Sequence, residues 1–227
     1  MIVVAHPDDE LLGLGASMNR IIDGDLNVKT HVVILGEGLT SRSDNRDVDK
    51  WNEELEKHKQ NILQAQKAIG YGEVSIYDFP DNRFDSVPIL DIIKVIESEK
   101  EKFLPDVIFT HHGGDVNIDH QRTFEAVLTS CRPMKHETVQ TLITFETPSG
   151  TEWRASSDPR HFLPNFFISV KEKNIEAKIK GMESYEFEKR EYPHPRSPEA
   201  LRVQAKRCGV SIGKDYAEAF QIIRSIN

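Results

Sequence analysis

The chain has 227 residues, enough for one large domain or a domain with an appended lobe. With 38% hydrophobic and 29% charged residues it reads as an ordinary globular protein whose core needs no staples. The formal net charge of −8 argues against sequence-independent nucleic-acid binding, though not against an acidic substrate held in a local basic pocket. No apolar run reaches the roughly 18 residues that a membrane helix needs. The opening Met1–Ala5 run is too short for a signal-peptide core and has no cationic stretch before it. Cys131 and Cys208 lie far apart with no metal-type spacing, so both are expected as thiols. These features together place the expected location in the cytoplasm.

Apolar runs alternate with longer helical patterns. Ile2–Ala5 reads as a buried strand, and Leu11–Asp23 as a helix whose Gly13 and Gly15 allow close packing. Val28–Leu35 is a second strand, and residues 36–49 form a polar, glycine-bearing loop. Lys50–Ile69 is a helix with Leu55, Ile62, Leu63, Gln66 and Ile69 along one side, ended by Gly70. Val74–Tyr77 is a strand and Pro80–Ser86 a loop. Ile89, Ile92, Ile93, Ile96 and Phe103 then follow helical spacing, and Asp106–Thr110 is another strand. A helix over Gln121–Ser130, a strand over Val139–Phe145, and an amphipathic helix over 171–187 on Ile175, Ile179, Met182 and Tyr185 come next. A proline-broken loop, YPHPRSPEA, leads into a helix from about Pro198, and the tail CGVSIGKDYAEAF is glycine-punctuated, then helical or extended.

This order predicts an α/β fold: a Rossmann-like, three-layer α/β/α arrangement with a mostly parallel sheet. It is read as a single domain over 1–227, with a core of about 1–145 and a smaller C-terminal part, about 146–227, that completes the site. Ligands of such sheets bind beyond the carboxyl ends of the strands. His6-Pro7-Asp8-Asp9, Gly36-Glu37-Gly38 and His111-His112-Gly113-Gly114-Asp115 all fall on that edge.

The stretch VVAHPDDE ends an apolar strand in a histidine and three acids. Clustered carboxylates repel one another, and desolvation worsens the cost, so the arrangement asks for a cation. His6 and Asp9, joined by His120 beyond the strand at 106–110, give two imidazoles and one carboxylate. That set suits catalytic Zn²⁺ with open positions, and it also holds Fe²⁺ or another divalent metal. Asp8 is not needed as a ligand and is free to act as general base. Alternatively, Asp8 or Asp9 caps the following helix. Asp119 beside His120 is read as orienting an imidazole or capping the next helix.

Here the sequence resembles a known family. AHPDDELLGLGA is similar to the opening of the LmbE-like, or PIG-L, zinc deacetylases; NIDH at 117–120 resembles their second motif; and GVSIGKDYAEAF looks like their C-terminal segment. The resemblance implies removal of an N-acetyl group, such as that of N-acetylglucosamine, from an amino sugar or related glycoside. By motif match it makes His6, Asp9 and His120 ligands and Asp8 the base. The chain departs from the common pattern twice. Asn117 stands where many members have a histidine, and an amide donates a hydrogen bond to an oxyanion but delivers no proton. The general acid is then sought in His194, His111 or His112. Residues 58–61 read His-Lys-Gln-Asn where an R-x-x-E arrangement is common, leaving Arg42, Arg46 or Arg83 to supply that cation.

Weaker signals complete the candidate site. Glu146 and Trp153 offer a sugar-facing wall, the indole by stacking. His194 and Arg196 sit between prolines that stiffen their loop. Asp81 and Arg83 lie at another strand end, and Glu218 is equally suited to the site and to a surface pair. The expected substrate is a small acetylated amino sugar, nucleotide sugar or glycoconjugate, carbohydrate metabolism the setting, with no nucleic-acid partner and no integral membrane segment; a homo-oligomer is compatible. Two rivals stand beside the deacetylase. One is an amidase or deacylase of another glycoside conjugate at the same site. The other is a non-catalytic sugar- or nucleotide-binding module, weakened because no G-x-G-x-x-G follows the first strand.

Overall fold

The computed structural model describes residues 1–24 and 27–226. In chain order the elements are β1 (Ile2–Val4), α1 (Asp9–Asp23), β2 (His31–Gly36), α2 (Asn52–Ile69), β3 (Glu73–Phe79), α3 (Ile89–Phe103), β4 (Val107–His111), α4 (Ile118–Ser130) and β5 (Thr141–Phe145). They continue with β6 (Phe166–Val170), α5 (Glu172–Ser184), α6 (Pro198–Val210) and β7 (Tyr216–Ser225). The seven strands form one sheet in the order β3-β2-β1-β4-β5-β7-β6. The first five are parallel; β7 runs antiparallel to β5, and β6 antiparallel to β7.

The two-residue period of a strand sends alternate side chains to opposite faces. Ile2 and Val4, with Val32 and Ile34, join a core under α1, α2 and α5 that includes Leu11, Ile62, Met182 and Tyr185. Val3 and Ala5, with Val33 and Leu35, join a second core under α3 and α4 that includes Ile92, Ile96 and Val127. The sheet is therefore covered on both faces, as a parallel sheet requires. The α/β/α layering read from the alternation of elements is what the molecule shows.

Three local readings change. The segment Phe166–Val170 is a strand that the periodicity does not announce, because four half-buried residues and one buried valine after a long loop carry too little pattern. The tail resolves as a ten-residue strand, β7, that joins β6 to the sheet. On α2 the inward face carries His58, Asn61, Ile62, Ala65 and Ile69, whereas Leu63 is exposed.

Helix α1 is kinked at Leu14 (φ −150°, ψ 17°). A break frees backbone groups that must find other partners. Lys178 Nζ from α5 donates to the Leu12 carbonyl at 2.8 Å, and Glu218 from β7 accepts from Ser17 N at 2.7 Å and Ala16 N at 3.4 Å. Lys178 and Glu218 pair at 2.6 Å, both buried. Glu218 thus holds α1 together. Gly13, at the same break, faces the Phe145 ring so closely that a Cβ would sit 2.2 Å from it.

Because β1 connects to β2 on one side and lies against β4 on the other, the carboxyl ends of β1 and β4 flank the switch point of the sheet. The segment 5–9 and the segment 111–120 leave the sheet there, on either side of one crevice.

Candidate metal centre and cleft

The chain turns sharply after β1. Asp8 takes a positive φ of 99°, a conformation that a non-glycine residue holds only when its surroundings impose it. Its amide donates to Glu10 Oε2 at 3.1 Å, and Glu10 Oε1 in turn accepts from Tyr185 at 2.6 Å and Tyr71 at 3.2 Å. The Asp8 carboxylate makes no cap contact with α1. Asp9 Oδ2 instead accepts from the His6 amide at 2.9 Å. The three acids of VVAHPDDE therefore take different partners: Asp8 meets Arg196, Asp9 the His6 amide, and Glu10 the two tyrosines.

His6, Asp9 and His120 are all buried, and one donor atom from each lies within 4.8 Å of the others. Asp9 Oδ2 is 3.4 Å from His6 Nδ1 and 3.3 Å from His120 Nε2. The far nitrogen of each imidazole faces another carboxylate. His6 Nε2 contacts Asp119 Oδ2 at 2.9 Å, with Asp81 Oδ1 at 3.3 Å. His120 Nδ1 lies 3.1 Å from Asp115 Oδ2. Carboxylates behind the outer nitrogens are the arrangement that orients metal-binding histidines.

A second group, His6 with Asp81 and Asp119, is also close enough to share an ion. Its acids are committed elsewhere. Asp119 accepts from the amides of Asn82 at 2.6 Å and Phe84 at 2.9 Å, and Asp81 from the amide and hydroxyl of Ser41. The first trio fits a divalent cation better.

Charge supports that fit. Five carboxylates (Asp8, Asp9, Asp81, Asp115 and Asp119) meet the imidazoles of His6, His111 and His120 and the Arg196 guanidinium. Burial disfavours a charged His6, yet bonds to Asp119 and Asp9 outweigh it and hold its pKa well above the usual histidine value. Burial likewise opposes His120, but Asp9 and Asp115 push it up to about 9. Asp8 is driven well above the usual carboxylate range by burial, against the pull of Arg196.

His6 of the trio, with the adjacent Asp8, lines a cleft of about 290 Å³. Its wall includes His6, Asp8, Asn117, Trp153, His194 and Arg196, together with Arg42 and Arg190. Arg196 Nη1 contacts Asp8 Oδ2 at 2.9 Å, and its Nε donates to Ser149 Oγ at 2.7 Å. Trp153 is 57% exposed and stands edge-on to His194, ring centroids 6.4 Å apart. The Arg196 amide donates to His194 Nδ1 at 3.2 Å, which leaves Nε2 as the proton-bearing nitrogen of the neutral ring.

Other sequence candidates stand elsewhere or do other work. Asp119 touches His6, not the adjacent His120, because neighbouring residues of a helix do not face each other. It does not cap α4; Asn117 does, its Oδ1 accepting from the Asp119 amide at 2.8 Å while its Nδ2 donates to Asn82. His111 is buried and stacked on His120, accepting from the Ala5 amide and held at a pKa of about 4 by burial and by His120. His112 bonds the Arg160 carbonyl. Of the three histidines considered as acids, only His194 lines the cleft. Glu146 lies in a separate pocket with Lys178 and Glu218. Arg83 bonds the Asp44 carbonyl, and Arg46 pairs with Glu37. Of the three arginines considered, Arg42 alone reaches the cleft wall. His58, at the departure from the R-x-x-E pattern, is buried against Tyr185 and Phe187 with its pKa lowered to about 4 by burial.

Asp115, Glu188 and Arg190 were missed as site residues, whereas Asp81, offered with Arg83 as a strand-end contact, lies against His6 and lines the cleft. Asp115 follows two histidines and two glycines at a strand end, and that placement was its only signal. The others come from segments remote in sequence.

A doubly wound α/β sheet with a buried His-Asp-His trio at its switch point defines the class of protein. The chain belongs to the PIG-L family, described as GlcNAc-PI de-N-acetylase, whose model matches residues 1–131. It is 26% identical over 190 residues to the uncharacterized deacetylase YaiS of Escherichia coli (strain K12), covering 82% of this chain and 89% of that protein. The structure of the N,N'-diacetylchitobiose deacetylase from Pyrococcus horikoshii is similar, with a TM-score of 0.73, 16% identity, and 98% and 82% of the two chains covered. GalB, the 4-carboxy-2-hydroxymuconate hydratase of Pseudomonas putida KT2440, gives 0.71 with 16% identity over 100% and 96%. No helix among the described residues is long and apolar enough to cross a membrane.

Proposed function

We propose that the chain is a metal-dependent N-deacetylase of an acetylated amino sugar. His6, Asp9 and His120 hold the cation, zinc being the metal proposed, and Asp8 is the base. The observation that carries this reading is the buried donor trio, backed by Asp119 and Asp115, whose His6 lines the cleft beside Asp8. Membership of a family described by a de-N-acetylase supports it. A hydratase shares this fold, so the chemistry is set by the site residues and not by the fold.

A divalent cation held by this trio supplies Lewis acidity, lowering the pKa of water and polarising a carbonyl oxygen. The chain's own groups do the rest. Asp8 takes a proton from the attacking water as its oxygen bonds to the acetyl carbon. Burial raises the basicity of Asp8, against the opposing pull of the Arg196 guanidinium. His194, neutral with its proton on Nε2, donates a hydrogen bond to the developing oxyanion. The C–N bond then breaks, and Asp8 returns its proton to the nitrogen. Acetate and the free amino sugar leave. Trp153 offers its face to the sugar ring.

The test is acetate release from a panel of N-acetylated sugars by metal-stripped and Zn²⁺-reloaded protein, with Asp8→Asn alongside. Release should depend on the metal. Asp8→Asn should keep one metal per chain and lose turnover by about 10²–10⁴-fold, the usual range for a general base. Turnover retained by that variant would remove Asp8 from the base role, and absence of metal binding would remove the trio.

A further inference from the structure

Asp8 is held by three different parts of the molecule. Its carbonyl accepts from the amides of Leu11 at 3.0 Å and Leu12 at 2.9 Å, which ties it to the first turn of α1. Its side-chain Oδ2 lies against Arg196. Its amide donates to Glu10 Oε2 at 3.1 Å. Asp8 is buried, so water offers that amide no ready replacement. The positive φ of Asp8 separates two consecutive carboxylates. Asp9 faces His6 and His120, whereas Asp8 joins the cleft wall. A non-glycine residue leaves such a conformation unless its surroundings hold it there.

Glu10 is a costly residue to bury here. Its hydrogen bonds come from neutral donors: the Asp8 amide, the Tyr185 hydroxyl at 2.6 Å and the Tyr71 hydroxyl at 3.2 Å. A buried carboxyl without a cation is expensive, and an apolar side chain would fill the same space at less cost. What an apolar side chain lacks is a pair of acceptors pointing two ways. Oε2 takes the Asp8 amide, and Oε1 takes both hydroxyls. Tyr71 follows α2 and Tyr185 follows α5, and both are buried in the core beneath α1. Neither tyrosine lines the cleft, and Glu10 does not line it either. Their only route to the chemistry runs through Asp8.

We propose that Glu10, Tyr71 and Tyr185 are positioning residues for the base. The two hydroxyls fix the Glu10 carboxyl, Glu10 fixes the Asp8 amide, and the backbone so held aims the Asp8 carboxylate at the water it deprotonates. This role rests on the reading of Asp8 as the base. Displacing a reacting group by about 1 Å costs about 10²-fold in rate. Residues buried beneath α1 therefore set the rate at the cleft without touching substrate.

The experiment uses the metal-loaded protein and has two readouts. One is hydrogen exchange at the Asp8 amide, followed by NMR. The other is kcat and KM for acetate release from whichever sugar of the panel turns over fastest. Glu10→Met removes both acceptors. Exchange at Asp8 should quicken about tenfold or more, and kcat should fall about 10–100-fold. KM and metal content should stay within about twofold of the parent. Glu10→Gln should restore most of kcat, its oxygen accepting from Asp8 and its NH₂ donating to the hydroxyls. The double variant Tyr71→Phe/Tyr185→Phe keeps both rings and should lower kcat severalfold; it carries the test if Glu10→Met does not fold. On an Asp8→Asn background neither Glu10→Met nor the double variant should lower the residual rate further. Exchange at Asp8 that does not change, or that quickens while kcat holds, would overturn the positioning role and leave Asp8 as the base. Losses that multiply with that of Asp8→Asn would overturn it too, because the three residues would then act elsewhere. Full turnover by Asp8→Asn, or no acetate from any sugar with the parent, would overturn the base and this role together.

Discussion

Helix α1 touches two buried ionic centres that are built on different terms. At its kink, Lys178 faces Glu218, and the pair also satisfies the Leu12 carbonyl and the Ala16 and Ser17 amides. One cation meets one anion, and the broken backbone supplies the remaining partners. At its start, five carboxylates surround three imidazoles, one of them (His111) held at a pKa of about 4, and one guanidinium. Burying charge is tolerable where partners match and costly where they do not. The matched centre explains itself as structure. The unmatched centre makes sense only with something positive brought in, which is why function is placed there.

The largest effect expected from this contrast lies at the matched centre. Lys178→Met strands Glu218 as a buried, unpaired carboxylate and frees the Leu12 carbonyl. It should cost about 3–5 kcal/mol, the range for breaking a buried pair from one side. Urea unfolding reads it directly. The double variant Lys178→Met/Glu218→Gln removes both charges and should recover part of the loss. A single variant within 1 kcal/mol of the parent would mean that the kink is held by packing alone, as Gly13 against Phe145 would allow.

At the unmatched centre, His194 sharpens the comparison. Burial, then the nearby Arg196 and Arg190, lower its pKa, and its Nδ1 already accepts a hydrogen bond. A lowered pKa means that the ring charges only at more acidic pH than an ordinary histidine. It therefore works as a neutral donor at pH 7. His194→Ala should lower kcat by about 10²-fold, the scale of one lost oxyanion donor. His194→Gln should restore part of it through its amide. The kcat profile of the parent should fall on the acid side, where Asp8 takes up a proton, and both variants should keep that shape. A fall on the alkaline side in the parent that both variants lack would show that a protonated His194 delivers the proton instead.

The sequence made the donor trio legible because its chemistry is packed into two short motifs, each falling directly after a strand. Periodicity placed both motifs on one sheet edge, and the resemblance named the same residues. The matched centre was not legible, since a lysine on α5 and a glutamate on β7 carry no local pattern that ties them to a kink in α1. The same holds for Glu188 and its partners Arg42, Arg190 and Arg196, which come together only through the loops after β2 and α5. Asp119 shows a different limit: adjacency in sequence suggested His120, but helical geometry turned the carboxylate to His6. β6 was invisible because an edge strand with four of its five residues half-buried has little hydrophobic contrast.

The smallest effect is expected at Glu146, which sequence position offered as a sugar contact. Its carboxylate belongs to the matched side of the molecule, in the pocket with Lys178, Cys208 and Glu218. Burial, aided by Glu152, raises its pKa, with Arg207 and Lys178 pulling the other way. A carboxyl whose folded pKa is raised binds its proton more tightly when folded. Its contribution to stability is full below the unfolded pKa and is lost as pH rises through the folded one. Glu146→Gln removes that titration while keeping shape and a hydrogen-bonding head. Its kcat/KM should stay within about twofold of the parent, since no substrate contact is lost. Its stability relative to the parent should rise as pH passes above the Glu146 pKa, read as the difference between two Tm-against-pH curves. A severalfold rise in KM with no change in that difference would move Glu146 to the cleft side and break the division between the two centres.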